Sequence, residues 1–166
     1  GREMVSNFVR NLGSPVTLAN SMLQGDVENS FATFWRFTIN TTVGIGGVFD
    51  VAEEAGLQNR PADFGQTLAV WGAPSGDYLF LPILGPGTVR DTLGRGVDVL
   101  FTPVTWANEN WYGYAQAGIT AVDARSRNYE LINDVFRTSL DPYATFRSGY
   151  LQRRTVEVEK AKEVHE

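Results

Sequence analysis

The chain contains no cysteine, which excludes disulfides, thiol catalysis and thiolate metal sites together. Histidine is almost as scarce. The single imidazole, His165, is next to last in a charged tail, so a catalytic or zinc-binding histidine is excluded as the basis of function. Lysine is missing until Lys160 and Lys162, and every earlier basic residue is arginine. Charged residues make up 20% of the chain, below the roughly 25% of an average soluble domain. The balance of 14 basic against 19 acidic residues gives a net charge of -5, so the basic footprint of a nucleic-acid binder is missing. Also missing is any apolar run of the roughly 20 residues that a membrane-spanning helix needs.

What the chain does hold is apolar and aromatic. Hydrophobic residues account for 43% of its 166 positions, enough for one domain with a core. Three stretches, Phe37 to Phe49, Phe64 to Gly76 and Tyr78 to Val89, are uncharged and mostly apolar, with glycine or proline interrupting each. Each is too short to cross a bilayer. Such runs serve as a buried core, a surface that dips into lipid, or the wall of an apolar cavity, and composition leaves all three open.

The fold class read from spacing is all-α, with helices separated by glycine and proline. Arg2 to Leu12 forms one helix stopped by Gly13, and a second starts at Ser14-Pro15 and runs to Gly25. Asp26 caps a longer helix that carries Phe31, Phe34, Trp35 and Ile39 at spacings of three and four, a stripe expected to pack as core. Val43-Gly-Ile-Gly-Gly-Val-Phe49 is too glycine-rich for a helix interior and makes a tight turn. A short helix covers Asp50 to Ala55, and Asp63 caps another to about Trp71. Pro82 bars Tyr78 to Gly87 from a central strand, so the segment is read as short helical or extended pieces. Thr88 caps a helix with Val89, Leu93, Val97, Leu100 and Phe101 on one side and Asp91, Arg95 and Asp98 on its polar side. A long helix runs from about Asn110 to Thr138, and Asp141-Pro142 opens the last one, with Tyr143, Phe146, Tyr150 and Leu151 as its stripe. The division is a helical domain over 1–155 and a charged tail over 156–166.

Reactive chemistry finds no footing in this pattern. Gly44-Ile-Gly46-Gly47 and Gly85-Pro-Gly87 lack the spacing and the preceding strand of a phosphate loop. Glu53 and Glu54 point about 100° apart on a helix, which suits a solvated face better than an acid and base pair. Asp63, Asp77, Asp91 and Asp98 lack metal-ligand spacing and are read as caps and surface ion pairs. Ser75 is not in a nucleophile elbow. The sequence therefore points to no catalytic residue, no metal and no cofactor, and the protein is expected not to be an enzyme.

Leu23-Gln-Gly-Asp26, Arg36-Phe-Thr-Ile-Asn-Thr-Thr-Val-Gly-Ile-Gly-Gly-Val-Phe-Asp50 and Asp63-Phe-Gly-Gln-Thr-Leu-Ala-Val-Trp-Gly72 closely resemble the MlaA (VacJ) family of outer-membrane lipoproteins. Tyr78-Leu-Phe-Leu-Pro82, Arg90-Asp91, Asp141-Pro-Tyr143 and Tyr150-Leu-Gln-Arg153 extend the match, in order, from about Ser6 to Arg154. The resemblance implies an all-helical ring in the inner leaflet of a Gram-negative outer membrane, associated with a trimeric porin. It further implies a central amphipathic pore that takes mislocalised glycerophospholipid from the outer leaflet and passes it to the periplasmic carrier MlaC, without covalent chemistry. The family's signal peptide, lipidated cysteine and first mature segment have no counterpart here, so the anchor is assigned to no residue of this sequence. On this reading Val43, Ile45, Val48 and Phe49, with Tyr78, Leu79, Phe80, Leu81, Ile83 and Leu84, are the candidate lipid-facing surface and pore rim. Arg36, Arg90 and Arg95 are candidate contacts for lipid phosphate. A competing reading from another class is a non-enzymatic helical adaptor whose apolar loops dock a membrane or periplasmic protein.

Overall fold

The computed structural model describes residues 2–81, 85–106 and 129–164. The chain order is α1 (Arg2–Leu23), α2 (Val27–Thr42), α3 (Val51–Glu54) and α4 (Phe64–Val70), then a hairpin of β1 (Tyr78–Leu81) and β2 (Gly85–Thr88). After it come α5 (Val89–Phe101), α6 (Pro103–Trp106), α7 (Tyr129–Thr138) and α8 (Pro142–Glu163). The fold is helical, as the spacing implied. Most of the long helix expected from Asn110 lies outside the described residues, and its last turns coincide with α7.

The caps expected at Asp26, Asp63, Thr88 and Asp141 are present, Asp50 adds another, and Ser14, expected as a cap, lies inside α1. Asp26, Asp50, Asp63, Thr88 and Asp141 each accept a hydrogen bond from the backbone N–H three residues on, satisfying a donor that a helix start leaves unpaired. Two details differ from expectation. The Gly13 break is absent: α1 runs straight through Gly13, Ser14 and Pro15. An interior proline costs a helix about 3 kcal/mol. Here tertiary bonds hold α1 on both sides of it, with Asn11 donating to Thr41 and Gly46, and Asn20 donating to Asp98.

The second difference is the hairpin, in which Tyr78 pairs with Thr88 and Leu81 with Gly85, antiparallel. Pro86 is tolerated because a two-stranded hairpin consists of edges. The charged tail continues α8 as helix to Glu163, following the buried Arg154.

The larger finding concerns which faces are inside. On α2 the buried residues are Asn29, Thr33, Arg36 and Asn40. The stripe expected to be core is turned outward: Phe31 is 64% exposed, Phe34 49% and Trp35 41%. On α1 the same inversion buries Ser6, Asn11, Asn20 and Ser21 while exposing Met4, Val5, Phe8 and Met22. The polar side of α5 also points inward, burying Arg90 and Asp91 and exposing Leu93, Val99 and Leu100. Among the described residues, the buried apolar side chains are three alanines, Ala52, Ala62 and Ala69. The center is polar and the exterior greasy.

Candidate functional site

Three hydrogen-bonded clusters hold much of the polar interior. In the first, Arg36 grips both carboxylate oxygens of Asp50 at 2.8 and 2.7 Å and donates to the Leu57 carbonyl. Asn40 completes it, donating to Asp50 at 2.9 Å and accepting from the Ala52 N–H. Burial pushes the Asp50 carboxyl up, but the Asn40 bond and the Arg36 charge outweigh it and hold the group below its ordinary value.

The second cluster links α1, α4 and α5. Asn20 donates to Asp98 at 2.7 Å and accepts from Thr67 at 2.8 Å, and Gln24 donates to Thr67 at 2.9 Å. The Phe64 N–H, at the start of α4, also donates to Asp98 at 3.1 Å. Burial dominates at Asp98 and raises its pKa above the ordinary value despite these donors.

The third cluster surrounds Arg154 of α8. Its guanidinium contacts Asp63 at 2.6 and 2.7 Å and Asp91 at 2.9 and 3.1 Å, tying the α4 cap to the first turn of α5. Asp91 also accepts from Tyr150 at 2.7 Å and from Thr88 at 2.9 Å. Burial would raise Asp91, yet the bonds from Arg154, Tyr150 and Thr88 leave its pKa lowered. Burial and the Asp91 carboxylate together push the Tyr150 phenol well up. Beside this cluster opens a cavity of about 310 Å³, lined by Pro61, Asp63, Gln66, Asp91, Arg95, Tyr150, Arg153, Arg154 and Glu157. Close approach makes this joint: a Cβ on Gly94 would lie 2.4 Å from the Gly65 nitrogen, and one on Gly65 would lie 2.6 Å from Arg154. Among the described residues no group of histidine and carboxylate side chains is arranged to hold a metal.

The candidate lipid-facing residues fall into two groups resting on different helices. Val43, Ile45 and Phe49 are exposed on the loop after α2, at 66%, 69% and 46%, and Val48 is half-buried. Asn7 of α1 donates to the Val48 carbonyl, and Asn11 to the Gly46 carbonyl, so the loop is pinned from its polar side. Ile45 has a positive φ of 53°, a costly conformation for a β-branched residue, and its side chain projects outward at the tip. Gly47 sits where any Cβ would be 2.3 Å from the Asn11 side chain.

The second group is on the hairpin, against α5 and α8. Phe80 is 59% exposed, while Tyr78, Leu79 and Leu81 are half-buried. The Tyr78 ring meets Tyr143 edge-to-face and Tyr150 at a tilt, with centroids 5.8 and 6.0 Å away. Ile83 and Leu84 lie outside the described residues.

The candidate phosphate contacts separate as well. Arg36 and Arg90 are buried, Arg36 against Asp50 and Arg90 against Asp91 and the Ala73 carbonyl, so both serve the interior. Arg95 lines the cavity and donates to the Pro86 carbonyl at 2.8 Å. Arg154 and Asp91, the hub of the third cluster, are not among the sequence-derived site residues. The signal for Arg154 was its position four residues after Tyr150, which puts both on one face of α8.

A helical body with a polar, ion-paired center and an apolar outer surface defines a class: proteins built to sit against lipid or an equally apolar partner. The chain belongs to the MlaA lipoprotein family, whose sequence model matches residues 1–157. It is 37% identical over 163 residues to an uncharacterized protein of Rickettsia bellii, covering 95% of this chain and 62% of that protein. It is 35% identical over 165 residues to the intermembrane phospholipid transport system lipoprotein MlaA of Haemophilus influenzae, covering 95% and 64%. The Escherichia coli protein of that name is 33% identical over 156 residues, covering 92% and 61%. The chain thus spans under two thirds of the length of these relatives. A solved structure described as the structural basis for maintenance of bacterial outer membrane lipid asymmetry aligns with a TM-score of 0.82 at 31% identity, covering 95% of this chain and 79% of that one.

Proposed function

We propose that this chain is the lipid-embedded body of a phospholipid transport protein of the outer membrane. It takes glycerophospholipid misplaced in the outer leaflet and delivers it, through an amphipathic pore and without covalent chemistry, to the periplasmic carrier MlaC, in company with a trimeric porin. The observation that carries this reading is the inverted burial. In water, each large apolar side chain left exposed forgoes about 1.5–3 kcal/mol, and a polar center gains little over solvation. Against acyl chains the same arrangement becomes favorable, because exposed Phe31, Phe34 and Trp35 meet hydrocarbon and the polar groups satisfy one another away from it. No helix among the described residues is long and apolar enough to cross a membrane, which suits a body seated in one leaflet. Acyl chains exchange one apolar environment for another as they move, so the step needs no energy source within the protein.

Val43, Ile45 and Phe49 on the pinned loop, with Phe80 on the hairpin, are the side chains assigned to acyl contact, and Val48, Tyr78, Leu79, Leu81, Ile83 and Leu84 complete the rim. Replacing both Ile45 and Phe49 with aspartate tests the assignment cleanly. Aspartate tolerates the positive φ at position 45 better than isoleucine does, so the loop should still form. Phospholipid is then expected to accumulate in the outer leaflet of cells carrying the folded variant. Wild-type outer-leaflet levels in such cells would refute the loop's role. Mass spectrometry of the purified protein separates transport from protein docking, since an adaptor would carry no phospholipid.

A further inference from the structure

We infer that the cavity between α4, α5 and α8 is a headgroup site that selects a phosphodiester bearing an ammonium over a purely anionic one; this rests on the phospholipid reading above. Its wall is charge-balanced rather than basic. Asp63, Asp91 and Glu157 face Arg95, Arg153 and Arg154. Arg154 is held between Asp63 and Asp91 and so organizes the acidic side. Arg153 is 75% exposed at its side chain and pairs with Glu157 at 3.3 Å, forming a loose surface pair at the mouth that an incoming zwitterion can exchange with. Both oxygens of Asp63 accept from Arg154, and Glu157 accepts from Arg154 at 3.1 Å as well as from Arg153, yet the two side chains stay 38% and 36% accessible, so an ammonium can join these pairs from the open side.

A purely anionic headgroup would find arginine but also meet these carboxylates, whereas a zwitterion satisfies both signs at once. Size agrees. At about 30 Å³ per water the cavity holds on the order of ten waters, room for a headgroup of comparable atom count but not for acyl chains. The chains are left to the apolar exterior.

The test compares vesicles of phosphatidylethanolamine with vesicles of phosphatidylglycerol carrying identical acyl chains, so that the phosphodiester is common and the ammonium is not. Lipid taken up by the detergent-purified protein is counted by mass spectrometry. Wild type is expected to take up phosphatidylethanolamine in preference by about threefold, the scale of one partly exposed charge pair. Glu157→Gln should abolish the preference, and Arg153→Gln should lower uptake of both lipids. Both variants should fold, because Arg153 is exposed and Arg154 keeps Asp63 and Asp91 without Glu157.

Water-soluble glycerophosphoethanolamine, added as competitor, distinguishes the source of the headgroup. Competition means the site takes the free phosphodiester as well; preference without competition means that it reads the group only on a lipid. Either result supports the site. Equal uptake of the two lipids, unchanged in both variants, overturns it while leaving phospholipid transport standing. Uptake of neither lipid by wild type overturns the transport reading, and the headgroup site falls with it.

Discussion

The side chain on which the third cluster depends is Asp91. It is 2% exposed, accepts from Arg154, Tyr150 and Thr88, and has Arg90 beside it. Asp91→Asn takes one buried carboxylate from Arg154, which keeps Asp63 and Glu157, and weakens the bonds from Tyr150 and Thr88, a change that costs about 1–3 kcal/mol. Equilibrium unfolding in mild detergent is expected to show a loss of this size; a loss under 1 kcal/mol would mean that the cluster is ornamental.

The same group sets the acid response. Asp91 and Asp50 have folded pKa values below those of the unfolded chain, so their stabilization is full above the ordinary carboxylate value near 4 and is lost as pH falls through the folded values. Asp98 has the opposite sign, since its raised pKa costs stability at neutral pH and returns it as the group protonates. Wild type should therefore lose stability from about pH 4 downward, and Asp91→Asn should lose less over the same interval. Parallel pH profiles for the two proteins would remove Asp91 from the explanation. The capping role of Asp63 was readable from the sequence, but its pairing with Arg154, 91 positions away, was not, because no local period carries that contact.

At the scale of elements, the boundaries were legible wherever a cap residue and a glycine mark them, as at Asp26, Asp63 and Thr88. The break at Gly13-Ser14-Pro15 was misread because the same residues that start a helix can be tolerated inside one held by Asn11 and Asn20. The orientation of α2 was misread for a deeper reason. Amphipathic spacing fixes that one face is apolar and the other polar, but which face turns inward depends on the surrounding solvent, and periodicity is the same in both cases.

Packing of α4 on α5 depends on Gly65 facing Gly94, which only the folded pair makes visible. Gly94→Ala is expected to separate these helices and destabilize by about 1–3 kcal/mol, through a clash with backbone that cannot move aside. Thermal unfolding that matches wild type would mean that α4 and α5 can slide apart freely. Gly13→Ala is the control: nothing lies near that Cβ, so alanine in the helix should be neutral or stabilizing by up to about 1 kcal/mol.

For the whole molecule, the three uncharged stretches take distinct roles. The first ends in an exposed loop pinned to α1, the second starts as the α4 helix over the polar clusters, and the third begins a hairpin against α5 and α8. Each is too short for a spanning helix, and no helix among the described residues is long and apolar enough to cross a membrane. The central claim is that the apolar exterior faces acyl chains, and two exposed tryptophans report on it directly. Trp35 is 41% exposed beside Phe31 and Phe34, and Trp71 is 56% exposed beside Phe64. In a variant retaining these two, with Trp106 and Trp111 changed to phenylalanine, fluorescence is read in bilayers whose acyl chains carry bromine. Strong quenching by the brominated chains, relative to unbrominated lipid, is the result expected of a lipid-embedded exterior; emission unchanged by bromine, with both indoles quenched instead by iodide from water, would contradict it.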